Sequence, residues 1–146
     1  MAARKPVPGK KYFTVAEANA TLPLIRAIVR DITALWQELQ GRQDRLARLQ
    51  QPDEKHPGDA YQEELQQIEA EVERDEDRLR EYVQELTNLG VELKDPGIGL
   101  IDFPGWINGH EVCLCWRYGE PEVAYWHEVQ AGYAGRQRLQ ADVQKA

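Results

Sequence analysis

Two long apolar stripes at helical spacing, separated by one short run of turn residues, constrain this chain more than any other feature. From Leu22 the apolar positions are Leu22, Ile25, Ile28, Val29, Ile32, Leu35, Trp36, Leu39, Leu46 and Leu49. Steps of three and four place them on one helical face, and the later part approaches the heptad of a coiled coil. A second stripe holds Tyr61, Leu65, Ile68, Val72, Leu79, Tyr82, Val83, Leu86 and Leu89, interrupted by Asp75 and Glu76. Residues 52–58 between them (Pro-Asp-Glu-Lys-His-Pro-Gly) are a turn by composition. Two helices joined by so short a loop pack antiparallel as a hairpin. Each spans on the order of 40 Å at ~1.5 Å per residue, more than a small sheet can cover. The loop end is therefore expected to project into solvent, and a second copy would cover its unmet stripe as a four-helix bundle.

The helix ends carry their own signals. Thr14 and Glu17 have the spacing of a capping box, with Phe13 as the staple residue. Pro23 would remove a hydrogen bond from an unbroken helix, so a short first helix and a restart capped by Thr21 are expected. Asp59 is the expected cap of the second helix and Gly90 its C-terminal stop.

After Gly90 the pattern changes to strands. Val91 to Lys94 reads as a short edge strand, Leu100 to Phe103 as a second, Glu111 to Tyr118 as a central strand and Val123 to Val129 as the next. Asn108-Gly109 is the strongest hairpin signal in the chain. The expected fold is α+β: a long antiparallel two-helix hairpin on a small antiparallel sheet of three to four strands. Helices at about 14–50 and 59–89 and a sheet at about 91–129 form one domain over 12–137. A disordered basic arm at 1–11 precedes it and a tail at 138–146 follows.

Turn positions fix a register. Centring the first hairpin on Asn108-Gly109 pairs residues whose numbers add to 217, and centring the second on Glu120-Pro121 gives 241. Phe103, Leu114 and His127 then share a row, as do Ile101, Trp116 and Tyr125; with Val112, Tyr118, Val123 and Val129 they form the apolar face that covers the helices. The opposite face carries Asp102, Cys113, Cys115, Arg117, Trp126 and Glu128. Pro104 and Gly105 are expected to disturb the first of the two ladders.

Charge narrows the partners. A net charge of −7, with thirteen acids against four bases from Pro52 to Glu85, excludes general binding to nucleic acid or to an anionic membrane. No stretch reaches transmembrane length and the first ten residues lack the apolar run of a signal peptide. Cys113 and Cys115, two apart on a strand, are poorly placed for a disulfide, so reduced thiols and a cytoplasmic location are expected.

Several segments together resemble one family. They are Tyr12-Phe-Thr-Val-Ala-Glu-Ala-Asn19 with Leu22-Pro23-Leu24, Leu89-Gly-Val-Glu-Leu-Lys-Asp-Pro96, Gly99-Leu-Ile-Asp-Phe-Pro104, Leu114-Cys-Trp-Arg117, Gly119-Glu-Pro-Glu-Val123, Trp126-His-Glu128 and Gly132-Tyr-Ala-Gly-Arg-Gln137. They resemble a prokaryotic family catalogued as a domain of unknown function, number twenty-two-oh-three. Some members carry the label "division initiation protein", which names no activity. The resemblance covers nearly all of the chain outside 1–11, the helical tip near 50–60 and the tail. It implies the architecture but no reaction. His110 stands where the family commonly has arginine.

Three groups of residues invite chemistry. His127 has the intrinsic acidity for proton transfer and Glu128 and Asp102 are carboxylates close by in the sheet, making them the catalytic candidates. Strand alternation puts His127 and Glu128 on opposite faces, and the register above buries His127 in the apolar core, where a backbone-bonded histidine is the simpler reading. Cys113 and Cys115, with His127, are the candidate metal ligands, but a structural zinc site wants a second ligand pair, so no cofactor is required and a divalent metal stays open. Gly132, Gly135 and Arg136, flanked by Trp126 and Arg117, could hold an anion through loop amides and a guanidinium. The competing reading pairs Arg136 with Glu120, Glu122 or Glu128.

Two functions follow. The first is a non-enzymatic interaction or assembly module, a homodimer through the hairpin with a possible protein partner at the acidic arm. The second is a small-molecule (anion) or metal-binding protein with its site between the sheet and the 132–136 loop, enzymatic activity being left open.

Overall fold

The computed structural model describes residues 5–51 and 58–140. The turn expected at 52–58 lies, except for Gly58, outside the described residues, as do residues 1–4 of the arm and 141–146 of the tail. Helix α1 runs Val15–Gln50 and helix α2 Asp59–Asn88, followed by strands β1 Glu92–Asp95, β2 Leu100–Ile107, β3 His110–Arg117, β4 Tyr125–Glu128 and β5 Gln137–Arg138. The sheet is an antiparallel meander in the order β1-β2-β3-β4-β5. It has five strands where three to four were expected, because Gln137–Arg138 pairs with Tyr125–Trp126.

The capping box forms as expected: the Glu17 amide donates to Thr14 Oγ1 and the Thr14 amide to Glu17 Oε1, both at 3.0 Å. Pro23 does not divide α1, which is one helix of 36 residues. The exposed Pro23 ring faces away from Ala18, Leu22 and Ile25, each at most 3% exposed; keeping that buried stripe continuous outweighs one missing hydrogen bond. Thr21 is no cap and bonds back to the Glu17 carbonyl at 2.9 Å. At the end of α2, Gly90 (φ +86°) turns the chain so that its amide reaches the Thr87 carbonyl and the Val91 amide the Leu86 carbonyl. That is the paired closure glycine permits after a helix.

One core joins the inner half of the hairpin to the sheet. It contains Phe13, Ala18, Leu22, Ile25, Val29 and Ile32 from the α1 side, Leu86 from α2, and Ile101, Phe103, Val112, Leu114 and Trp116 from β2 and β3. Buried Leu35, Leu39, Ile68 and Val72 lie beyond that cluster, in the outer arm where α1 packs against α2. The polar break in the second stripe has a purpose there. Asp75, 14% exposed at its side chain, receives Arg42 at 2.6 Å across the hairpin.

The two ladders behave oppositely to expectation. β2 and β3 pair without interruption from Leu100–Arg117 to Ile107–His110, a sum of 217, through Pro104 and Gly105. Pro104 turns its carbonyl outward to the Phe13 amide at 2.7 Å, so its missing N–H also faces away from β3 and costs the ladder nothing. Gly105 is required because a Cβ there would lie 2.9 Å from Leu114 Cγ. β3 and β4, however, pair Val112 with Glu128 and Cys113 with His127, a sum of 240 and one residue off the expected 241.

Candidate functional site

The slip goes with contacts from outside the strands. The loop between β3 and β4 has an odd number of residues, 118–124, and α1 holds it: the Val123 amide donates to Asn19 Oδ1 at 2.7 Å, Asn19 Nδ2 donates to the Val123 carbonyl at 3.3 Å, and Arg26 reaches the Pro121 carbonyl. Inside the loop, Glu120 accepts from the Arg117 amide at 2.7 Å through its side chain and from Trp116 Nε1 at 3.0 Å through its carbonyl. A one-residue shift turns every β4 side chain over.

His127 therefore leaves the apolar face and Trp126 joins it, half-buried against the core in the row of Phe103 and Leu114. Tyr125 moves into the row of Asp102 and Cys115, while Tyr118 and Val129, expected in the core, are each 39% exposed. Glu128 moves opposite Val112, away from the cysteines.

The sheet face away from the helices now brings together Asp102 at 2% exposure, Cys115 at 0% and His127 at 2%. His127 Nε2 lies 3.1 Å from both Asp102 carboxylate oxygens, and its Nδ1 lies 2.7 Å from the Glu128 carbonyl. Cys113 stands half-buried in the His127 row. Both cysteines are free, and burial first, then Asp102, pushes each thiol up to about 12. Neither is a thiolate nucleophile in that state.

Around this centre the remaining candidates are spoken for. Glu128 sits 3.0 Å from His110 Nε2 at the rim of the other face. Arg136 donates to both carboxylate oxygens of Glu120 at 2.7 Å and lies over the rings of Tyr125 and Tyr133, 4.0 and 4.9 Å from their centroids. Its Nε is buried without an acceptor among the described residues. Gly132 (φ +67°) opens a 3₁₀ turn, Tyr133–Gly135, whose Gly135 and Arg136 amides are taken by the Gly132 and Tyr133 carbonyls. Those amides are not directed at a ligand. Arg117 is exposed and donates to the Tyr133 hydroxyl at 3.3 Å.

Sequence reasoning missed the groups that close the face at its other end. Lys10 Nζ and the Tyr12 hydroxyl each donate to Glu111 at 2.8 Å. Burial raises the Glu111 carboxyl, but the bonds from Lys10 and Tyr12 outweigh it and hold the group below its usual range. Lys10 belongs to the stretch expected as a disordered arm. Its signal was the nearby Tyr12-Phe13 pair, whose aromatics pack on Trp106 and Phe103.

A two-helix hairpin on a five-stranded meander, with a buried aspartate, cysteine and histidine on the far side of the sheet, is the class of protein that fold and site define. The chain belongs to the DUF2203 family, described as "Uncharacterized conserved protein", whose profile matches residues 11–139. No curated protein and no solved structure matched it. Among the described residues, no helix is long and apolar enough to cross a membrane.

Proposed function

We propose that this protein is a non-enzymatic interaction and assembly module that pairs with a second copy of itself through the outer half of its helical hairpin. One observation supports the reading above others. Leu46, Leu49, Tyr61 and Leu65 stay only half-buried in an arm that lies beyond the core shared with the sheet. Helix α1 alone measures about 54 Å at ~1.5 Å per residue, so its outer turns have no sheet beneath them. A second hairpin is the smallest addition that covers both stripes at once. The arm's charges fit this pairing. Arg42 and Arg45 are already matched within the hairpin by Asp75 and Glu64, which leaves the acidic outer face of α2 in solvent.

Light scattering on the full chain at micromolar concentration tests it. Twice the chain mass is expected, falling to a single chain in Leu46→Glu combined with Leu65→Glu, with helical circular dichroism retained. A wild-type monomer refutes the proposal.

A further inference from the structure

His127 has an acceptor on each side of its ring. Nδ1 lies 2.7 Å from the Glu128 carbonyl, which can only accept, so Nδ1 carries the ring proton. Nε2 lies 3.1 Å from both oxygens of Asp102. In a neutral imidazole that sets a lone pair against a carboxylate, where both side chains are only 3% exposed. A positive charge has to sit between them, either an added proton or a metal ion. The Cys115 thiol converges on the same point: one ligand atom from each of Asp102, Cys115 and His127 lies within 4.8 Å of the other two.

We propose that Asp102, Cys115 and His127 form a binding site for a divalent transition-metal ion, zinc being the best match. Nitrogen, sulfur and oxygen donors together suit that borderline-soft ion at bonds of ~2.0–2.3 Å. Tetrahedral bonds of that length set ligand atoms about 3.3–3.8 Å apart, so closing on the ion requires side-chain shifts of about 1 Å. The Nδ1–H bond to the Glu128 carbonyl is the outer contact that fixes a metal-binding histidine in its tautomer.

The convergent third donor, Cys115, favours the ion over a proton, which needs only two. On binding, the Cys115 S–H bond breaks, the sulfur bonds the metal and the proton leaves to solvent. One thiolate and one carboxylate then neutralise a divalent ion, and no net charge stays buried. The nearby cations do not compete: Lys94 pairs with Glu92 at 2.9 Å and Arg136 with Glu120 at 2.7 Å. Three protein ligands leave a fourth position for water or a small donor.

The test uses the untagged full chain purified without chelator, analysed for metal and then reconstituted with zinc and with cobalt(II). About one ion per chain and a thiolate-to-cobalt charge-transfer absorption are expected. Cys115→Ser should abolish that absorption and His127→Gln should weaken binding. Each loses a direct ligand, so each should cost more than the ~10–100-fold that losing an outer partner costs. Cys113→Ser should keep both signals. Circular dichroism checks each variant's fold; should the ligand variants not fold, the cobalt absorption of the wild-type and Cys113→Ser chains decides, since it needs a bonded Cys115. Absence of that absorption, or cobalt bound without it, overturns the proposal and leaves a proton between His127 and Asp102.

Discussion

Two histidine–carboxylate pairs stand on opposite faces of the same small sheet, and they show how little the pairing itself means without its surroundings. His110 and Glu128 meet at 3.0 Å with side chains 29% and 42% exposed. His127 and Asp102 meet at 3.1 Å with both side chains 3% exposed. Their geometry is almost the same, but water screens the first pair and competes for its hydrogen bonds. The second is shut away from solvent, so removing one member leaves the other buried without it.

The sharpest way to break that comparison is to remove one member of the buried pair. Asp102→Ala leaves the His127 Nε2 and the Cys115 thiol without their shared partner, and should destabilise the fold by about 3–5 kcal/mol in chemical denaturation. A loss under ~1 kcal/mol would mean that water enters the site and that burial is not what separates the two pairs.

Next in size is the contact between α1 and the loop that precedes β4. Asn19 satisfies both backbone groups of Val123, which is itself fully buried. Asn19→Ala strands those groups and should cost about 1–3 kcal/mol. If α1 sets the β4 register through this clamp, the same variant should also disturb the His127 ring signals in NMR while leaving those of Asn108 and Gly109 in place. Unchanged His127 signals would return the register to the strands themselves.

This clamp also marks the boundary of what the sequence makes legible. The hairpin of helices, its capping box, the Gly90 stop and the β2–β3 ladder follow from local rules, because each is enforced within a few residues. Asn108 (φ +51°) and Gly109 (φ +79°) adopt the left-handed pair that a two-residue turn demands, so the 217 register could be read directly. The β3–β4 loop has no such local signature. Asn19 and Arg26, about a hundred positions away in sequence, hold this loop of odd length, and an error of one residue moved His127 to the wrong face. Asp102 and Cys115 were visible as a polar row, but the residue that turns the row into a site was not. Pro23 misled for the same reason: a continuous buried stripe overrode a local breaker.

The N-terminal closure of the polar face gives a third, smaller test, with a defined sign in pH. Glu111 is held below its ordinary 4.5 by Lys10 and Tyr12 against the cost of burial. Its contribution to stability is therefore complete above the unfolded value and is lost as the pH falls through the lower folded value. The hydrogen bond and charge of Glu111 raise Lys10, so its share is complete below its ordinary 10.5 and is lost only as the pH climbs through the raised value. Lys10→Ala should lower stability by about 1–2 kcal/mol near neutral pH and by less in acid, where Glu111 is already protonated. Melting curves from neutral to acid pH read this directly, and an equal loss at both ends would mean that the Lys10 stem, not its charge, does the work.

The smallest effect is expected at the exposed pair, and it gives the comparison its meaning. His110→Ala removes the partner of a carboxylate that keeps 42% of its surface in water, so Glu128 is resolvated rather than stranded. The change should be under about 1 kcal/mol, and salt should reduce it further. The Glu128 carbonyl, which fixes the His127 ring, belongs to the strand backbone and is untouched by this substitution. Loss of stability comparable to that of Asp102→Ala would show instead that the two faces are coupled through the Glu128 main chain, and that the two histidines are parts of one unit.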